Sequence, residues 1–431
     1  MTDRKRIAII GTGITGLAAA WLLRDRHDIA VYEKDDRPGG HSHTVTIDYD
    51  GTMIPVDTGF IVYNEVNYPN LTRLFAALGV KTQDSNMSFA VSAQDGRLEW
   101  AGDNLGTVFA QKINLARPRF LGMLRDIMRF NQRAVQDLNA GRLEGLTLGQ
   151  YIAAGGYGDA FREDYLLPMG AAIWSTPVAD MSAFPAASFV RFFNNHALLR
   201  GLEDRHQWRT VSGGSIQYVR AIATALGDRL RLSSRVWRIE RDAFGATVID
   251  GAGNRSRFDA VILACHGDQA LSLIDAPSDQ EANILGAFRY TLNHAVLHRD
   301  PGLMPKRRKV WSSWNYLTGE RGEGKVALSY WMNRLQGIDP AKPVFVSLNP
   351  HKPVRDDLVF GRYDYEHPMF DAGAIAAQRD IASLQGQNRL WFAGSYCGNG
   401  FHEDGLKAAI EVAADFGVAP AWQTSRRMAA E

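Results

Sequence analysis

The chain has 431 residues, more than one ordinary domain holds, so two or three domains are expected. Apolar residues make up 45% and charged residues 22%, a globular balance; a formal net charge of +1 excludes a global attraction to nucleic acid and leaves only local patches to recruit a charged partner. Cys265 and Cys397 are the only cysteines and stand in no C-x-x-C pair, which excludes a disulfide framework and suits a reducing compartment.

The chain opens MTDRKRIAIIGTG. The apolar run after the basic residues is cut by glycine at once, so it reads as a strand and not as a signal peptide. Ile7 to Ile10 is the β-branched run of a buried parallel strand. Gly11, Gly13 and Gly16 follow in the spacing G-x-G-x-x-G, then a helix over 14–24, then a second strand, Ile29 to Tyr32, with Glu33 at its carboxyl end. Each part has a physical task. Gly11 permits the tight turn, Gly13 admits a pyrophosphate to the backbone, and Gly16 lets helix and strand pack closely. The helix start, with Ile14 and Thr15, offers amides and a positive dipole end to phosphates. Glu33 accepts from a ribose hydroxyl and disfavours a 2′-phosphate. The order of strand, glycines, helix, strand and acid predicts a dinucleotide site.

The next stretch, EKDDRPGGHSHT, sets Lys34, Arg37, Gly39, Gly40 and His41 directly after that acid, and IPVDTGFIVYN follows with Thr58 and Gly59. These resemble the E-x-x-x-R-x-G-G-R and D-x-G elements of the flavin amine oxidase superfamily, with His41 in place of the final arginine. The resemblance implies FAD, with both segments beside phosphates and flavin. LRLSSRVWRIERDAFGATVIDGAGNRSRFDAVILAC reads as hairpin-closed strands and then a buried strand; it resembles the superfamily's β-meander, which implies that Val236 packs near the adenine. NRLWFAGS is a last buried strand ending on Gly394 and Ser395, where the backbone must approach the pyrophosphate. Nearly the whole chain, including VDTGFIVYNEVNYPNLTRLF, GAAIWSTPVADMSAFPAASFVRFF and FHEDGLKAA, is similar to one branch of that superfamily, encoded beside or fused to cyclopropane-fatty-acyl-phospholipid synthases. That resemblance implies work on membrane acyl chains, with such a methyltransferase as functional partner.

Residues 71–205 read as mostly helical. In RPRFLGMLRDIMRFNQRAVQDL apolar residues recur at helical intervals, with arginines opposite. Those arginines read either as a solvated face or as attraction to anionic headgroups. Lys306, Arg307, Arg308 and Lys309, followed by Trp311, Trp314 and Tyr316, read either as an exposed charged loop before an aromatic core strand or as basic heads and indoles at a membrane interface. Taken together they predict peripheral contact with the inner face of a membrane. Trp174, Trp208, Tyr316, Tyr330 and Trp331 are candidates for an apolar pocket over the flavin, although most aromatics are simply core. The superfamily reads N-K-V-V-L on a strand whose lysine lies near the flavin. This chain reads Asn293-His294-Ala295-Val296-Leu297, so the resemblance puts His294 at that place. A histidine can transfer a proton near neutrality, but it departs from the amine oxidase pattern.

The cluster GSYCGNGFHEDGLKAA follows the last strand. Consecutive His402, Glu403 and Asp404 do not converge easily on one ion, so no metal is expected. The segment resembles the superfamily's E-G-A at a helix start, which implies that Asp404, Gly405 and Leu406 meet the flavin; His402 is a second catalytic candidate. Cys397 lies after the FAG strand, whereas the superfamily's flavin-linked cysteine precedes it, so FAD is expected to be non-covalent. No G-x-S-x-G elbow, HExxH or Walker loop competes.

The expected fold is α/β: a Rossmann-type, glutathione-reductase-like FAD domain made of 1–70, 206–266 and 386–425, with an inserted α+β, amine-oxidase-like substrate domain over 71–205 and 267–385 and a tail at 426–431. The expected function is FAD-dependent dehydrogenation or desaturation of a fatty-acyl substrate, methyl-branched or cyclopropane-related and carried on phospholipid, in the cytoplasm. The alternatives are an amine oxidase, a redox-neutral flavin isomerase and an accessory protein of a lipid methyltransferase.

Overall fold

The computed structural model describes residues 4–200, 206–319 and 327–423; the expected tail at 426–431 lies outside the described residues. Arg6–Ile10 forms β1, Ile14–Leu23 forms helix α1 and Asp28–Tyr32 forms β2. Four of the five residues of each strand are buried, as strands covered on both faces must be. Only Trp21 of α1 escapes burial. The small residues of α1 let it lie in one core with the last helix, His402–Asp415.

The central sheet has five strands in the order Leu230–Arg231, β2, β1, Ala260–Leu263, Leu390–Phe392, and every pairing is parallel. These strands fall within 1–70, 206–266 and 386–425, so the chain leaves this sheet and returns to it twice. One face packs on α1, the last helix and Ile216–Leu226. The other packs on an antiparallel meander of Val236–Asp242, Gly245–Asp250 and Arg255–Phe258.

The excursions build a second layer around a mixed seven-stranded sheet, in the order Val359–Pro368, Tyr290–His298, Phe345–Leu348, Ala327–Trp331, Trp314–Leu317, Phe89–Ala93, Leu98–Ala101. The helices Pro118–Asn139, Leu167–Trp174 and Ala186–Asn195 share its core. The helical reading of 71–205 misses three strands, Thr82–Ser85, Phe89–Ala93 and Leu98–Ala101. Thr82–Ser85 pairs with Trp208–Val211, and Phe89–Ala93 with Trp314–Leu317. Partners so far along the chain leave no local pattern to announce these two, whereas Leu98–Ala101 closes a hairpin with Phe89–Ala93 across a turn that holds Asp95 and Gly96, a local signal the helical reading passed over. Among the described residues no helix is long and apolar enough to cross a membrane.

Candidate active site

One cavity of about 1070 Å³ runs from the start of α1 to the inner wall of the seven-stranded layer. At its inner end the glycines make the cradle. Gly11 has φ +101°, and a Cβ there would come within 2.8 Å of the Ala264 carbonyl oxygen. At Gly16 a Cβ would stand 1.9 Å from the Gly11 oxygen, so only hydrogen fits between helix and turn. At Gly13 it would meet nothing within 4 Å. That is the open room a pyrophosphate needs, and no side chain caps α1 in front of it.

Glu33 is buried at the end of β2, where its carboxylate accepts from the Thr12 amide (3.1 Å), the Thr12 hydroxyl and the Asp35 amide (3.0 Å). A carboxylate has about four acceptor sites, so capacity for a ribose remains. Arg37 donates to the Gly40 oxygen at 3.0 Å and lines the cavity with Lys34, Gly39, Thr58, Gly59, Val236, Gly394 and Ser395.

Histidines line the middle of the cavity. His41 Nε2 is buried and has no hydrogen-bond partner among the described residues. Its ring centre is 5.2 Å from that of Tyr365, 5.3 Å from His367 and 6.2 Å from His266. Burial, and then the nearby Arg37, hold the His41 pKa down to about 4. Burial holds His266, His367 and His402 down to about 3. These rings are therefore neutral at physiological pH. Among the described residues no three His, Cys, Asp or Glu side chains gather as metal ligands. An unpartnered buried nitrogen, an open glycine and an uncapped helix start on one wall fit a bound dinucleotide.

The carboxyl-terminal cluster contributes differently from its sequence reading. The amides of Asp404 and Gly405 both donate to the Phe401 oxygen, at 3.0 and 3.1 Å. Asp404 in turn accepts from the Phe401 amide at 3.0 Å. A Cβ on Gly405 would lie 2.6 Å from Thr15 Oγ1, because the last helix crosses the start of α1 there, and Leu406 is fully buried in that core. None of these three lines the cavity. The first amides of the helix are instead those of His402 and Glu403. His402 does line the cavity, stacked on Phe60 at 3.7 Å, its Nε2 2.9 Å from Ser42 Oγ and 3.3 Å from the Tyr218 hydroxyl. The Glu403 carboxylate turns away and accepts from the amides of Asn70 and Leu71 at the start of helix Pro69–Ala77.

His294 is not at the cavity. Its side chain is 54% exposed and its Nδ1 is 2.6 Å from Asp364, through which alone it approaches the wall. Period-two alternation puts residue 294 on one face with Val296 and His298; those two are covered, but at 294 the cover has ended and the side chain meets solvent, while Ala295 and Leu297 on the other face fill the core. His294→Ala is therefore expected to leave FAD content unchanged and stability within about 0.5 kcal/mol, read by flavin absorbance and a melting curve. Of the pocket candidates, Trp174, Trp208 and Tyr330 line the cavity. Tyr316 is core, and Trp331 packs edge-on against Trp311 at 5.5 Å. Sequence reasoning missed His266, Tyr365 and His367 as cavity residues. His266 had a signal, since it follows the carboxyl end of strand Ala260–Leu263, where ligands of parallel sheets bind. Tyr365 and His367 had none.

The split parallel sheet, the glycine cradle and the covered cavity define a class: a flavin-dependent oxidoreductase with a discontinuous dinucleotide-binding domain. The chain belongs to the flavin containing amine oxidoreductase family, whose model matches residues 14–285, and its cofactor is FAD. A Mycobacterium tuberculosis protein, flavin-containing monoamine oxidase AofH, is 28% identical over 259 residues. That match covers 57% of this chain, and the chain spans about half the length of this curated relative, 54%. Among solved structures it is similar to putrescine oxidase bound to putrescine (TM-score 0.65, 20% identity) and to cyclohexylamine oxidase from Brevibacterium oxydans (0.68, 18%). It is also similar to a fatty acid isomerase from P. acnes that produces CLA (0.68, 16%); in all three, 96% of this chain and 99% of the other are covered. At such identities the likeness is one of fold.

Proposed function

We propose that this chain is an FAD-dependent dehydrogenase that introduces a double bond into an apolar acyl chain. One observation carries the reading. The cavity lining contributed by residues 87–198, which include Trp100, Val108, Leu124, Ile127, Met169 and Ile173, contains no Asp, Glu, Lys or Arg. A long apolar wall suits an acyl chain and excludes water, and the carboxylates of Asp364 and Glu366 stand on another part of the lining. When bound, FAD supplies the two-electron acceptor for the hydride.

The residues of this chain bind and orient. The glycine cradle and Glu33 hold the dinucleotide. His402, fixed by Ser42, Tyr218 and Phe60, is a positioning residue: with its pKa near 3 its ring is a poor proton acceptor at neutral pH. The proton lost from the neighbouring carbon has an acceptor on the wall in Glu366, whose carboxylate lies 3.5 Å from His266 Nδ1. Cys397 does not line the cavity and burial pushes its thiol up to about 12, which supports non-covalent FAD. The resemblance to the branch encoded beside cyclopropane-fatty-acyl-phospholipid synthases supports a methyl-branched or cyclopropane-related phospholipid, which a methyltransferase of that kind would supply.

Amine oxidation is the second reading, favoured by Trp174, Trp208, Trp314 and Tyr330 on the same cavity, since ring faces attract cations. Anaerobic mixing of holoprotein with methyl-branched phospholipids, and separately with a panel of amines, decides between them. Loss of the yellow flavin absorbance with the lipids is the expected result. Bleaching by amines alone overturns the acyl reading, and conversion of lipid without bleaching makes the chain a redox-neutral isomerase.

A further inference from the structure

Five of the eleven large apolar side chains that stand exposed among the described residues fall between residues 105 and 128: Leu105, Ile113, Leu115, Leu121 and Met128. Leu105 is 77% exposed and Met128 61%. The segments that carry them adjoin. Phe109, after the short helix Leu105–Val108, packs on Phe120 in the first turn of Pro118–Asn139, with ring centres 6.0 Å apart. Ile113 and Leu115 lie on the turn Lys112–Ala116 between these helices.

This surface is basic. Residues 97–133 hold seven Lys or Arg against three Asp or Glu, with Arg119, Arg125, Arg129 and Arg133 paired to Glu163, Asp164, Asp126 and Asp137. The acids are already engaged: Glu99 by Arg307, Asp103 by Arg334 and Asp126 by Arg129. The second basic cluster joins the same face, since a Cβ on Gly106 would lie 3.5 Å from Lys309 Nζ. Arg308 sits over the Trp311 ring at 5.2 Å. Lys112, Arg117, Arg308 and Lys309 form no ion pair among the described residues.

We propose that this face docks on an anionic membrane surface, its apolar side chains entering the headgroup boundary and Lys112, Arg117, Arg308 and Lys309, which form no ion pair among the described residues, meeting lipid phosphates. Contiguous exposed apolar groups mark an interaction site, and interleaved cations choose a negatively charged apolar partner. A second copy of the chain meets the same cations with its own, which disfavours self-association. The position also has a use. Val108, Leu124 and Ile127 belong to the same two helices and wall the cavity from inside, so docking sets the acyl region of the bilayer against the cavity wall. That last link rests on the acyl-chain reading; the docking itself does not.

The test is flotation of holoprotein with vesicles of phosphatidylcholine alone and of phosphatidylcholine mixed with phosphatidylglycerol. Binding to the mixed vesicles alone, weakened by salt, is expected. Ile113→Ser with Leu115→Ser, and separately Lys112→Glu with Lys309→Glu, are each expected to weaken it about tenfold or more, with FAD content and melting temperature unchanged. No flotation with anionic vesicles, or undiminished flotation of both variants, overturns the proposal. So does a dimer seen by sedimentation that the same substitutions dissolve without any vesicle binding. No turnover is read, so a failed acyl reaction leaves the docking result standing, and the reverse.

Discussion

Gly16→Val is expected to purify without FAD and to melt well below the parent. The added side chain would begin 1.9 Å from the Gly11 oxygen and 3.3 Å from the Ala264 Cβ. Both neighbours lie on the central sheet or its turn, so helix α1 must lift away. Overpacking a core costs about 1–3 kcal/mol where side chains can yield; here a backbone oxygen must yield, and the cost lies at or above that range. The lifted helix also carries its first-turn amides away from the pyrophosphate position. Gly13→Val separates the two effects. No atom lies within 4 Å of a Cβ there, and Gly13 has φ −59°, which any residue adopts. That variant is expected to keep the melting temperature of the apoprotein and still lose FAD, because its side chain fills the room left for phosphate. Flavin absorbance per mole of protein and a melting curve of each apoprotein measure both outcomes. Full FAD content in Gly13→Val would remove the pyrophosphate from this site.

Acid is expected to unfold the protein between about pH 6.5 and pH 4. Seven histidines have pKa values held down to about 3 or 4, chiefly by burial: His41, His43, His196, His266, His298, His367 and His402. In the unfolded chain they titrate near 6.5. Through the window between, the unfolded chain binds protons that the folded chain refuses, so stability falls as pH falls. Asp57 and Asp404, pushed up to about 6 by burial, act the other way. They take up protons in the folded state first, so acid stabilises them between about pH 6 and 4. Two carboxyls do not offset seven rings. His43 stands partly open to solvent and counts for less, so the more deeply buried rings carry the effect, each tenfold change in proton affinity being worth at most about 1.4 kcal/mol. The melting temperature is expected to be level above pH 7 and to drop steeply below 6.5. A level curve down to pH 4.5 would mean that water or ligand reaches these rings and relieves their desolvation.

Half of the cofactor site was legible because it is local. Gly11, Gly13, Gly16 and Glu33 sit within one strand–helix–strand unit, where turn, dipole and terminal acid follow from spacing alone. The return strands Ala260–Leu263 and Leu390–Phe392 were legible as short buried runs. The GSYCGNGFHEDGLKAA segment reads as meeting the flavin through Asp404, Gly405 and Leu406, whereas Gly394, Ser395 and His402 of it line the cavity and those three do not. Gly405 turned out to be a helix-crossing glycine against Thr15, and His402, not Asp404, faces the ligand space.

What the sequence by itself determined is therefore the cradle, the buried strands of the central sheet and the cofactor class, since each rests on contacts among near neighbours or on burial patterns that any short window records. The tertiary structure alone decided which side chains share the cavity. Ser42, Tyr218 and His402 meet across separations of 176 and more residues. His294 meets solvent because strand alternation fixes only that two faces exist, while the elements packed on them fix where each is covered.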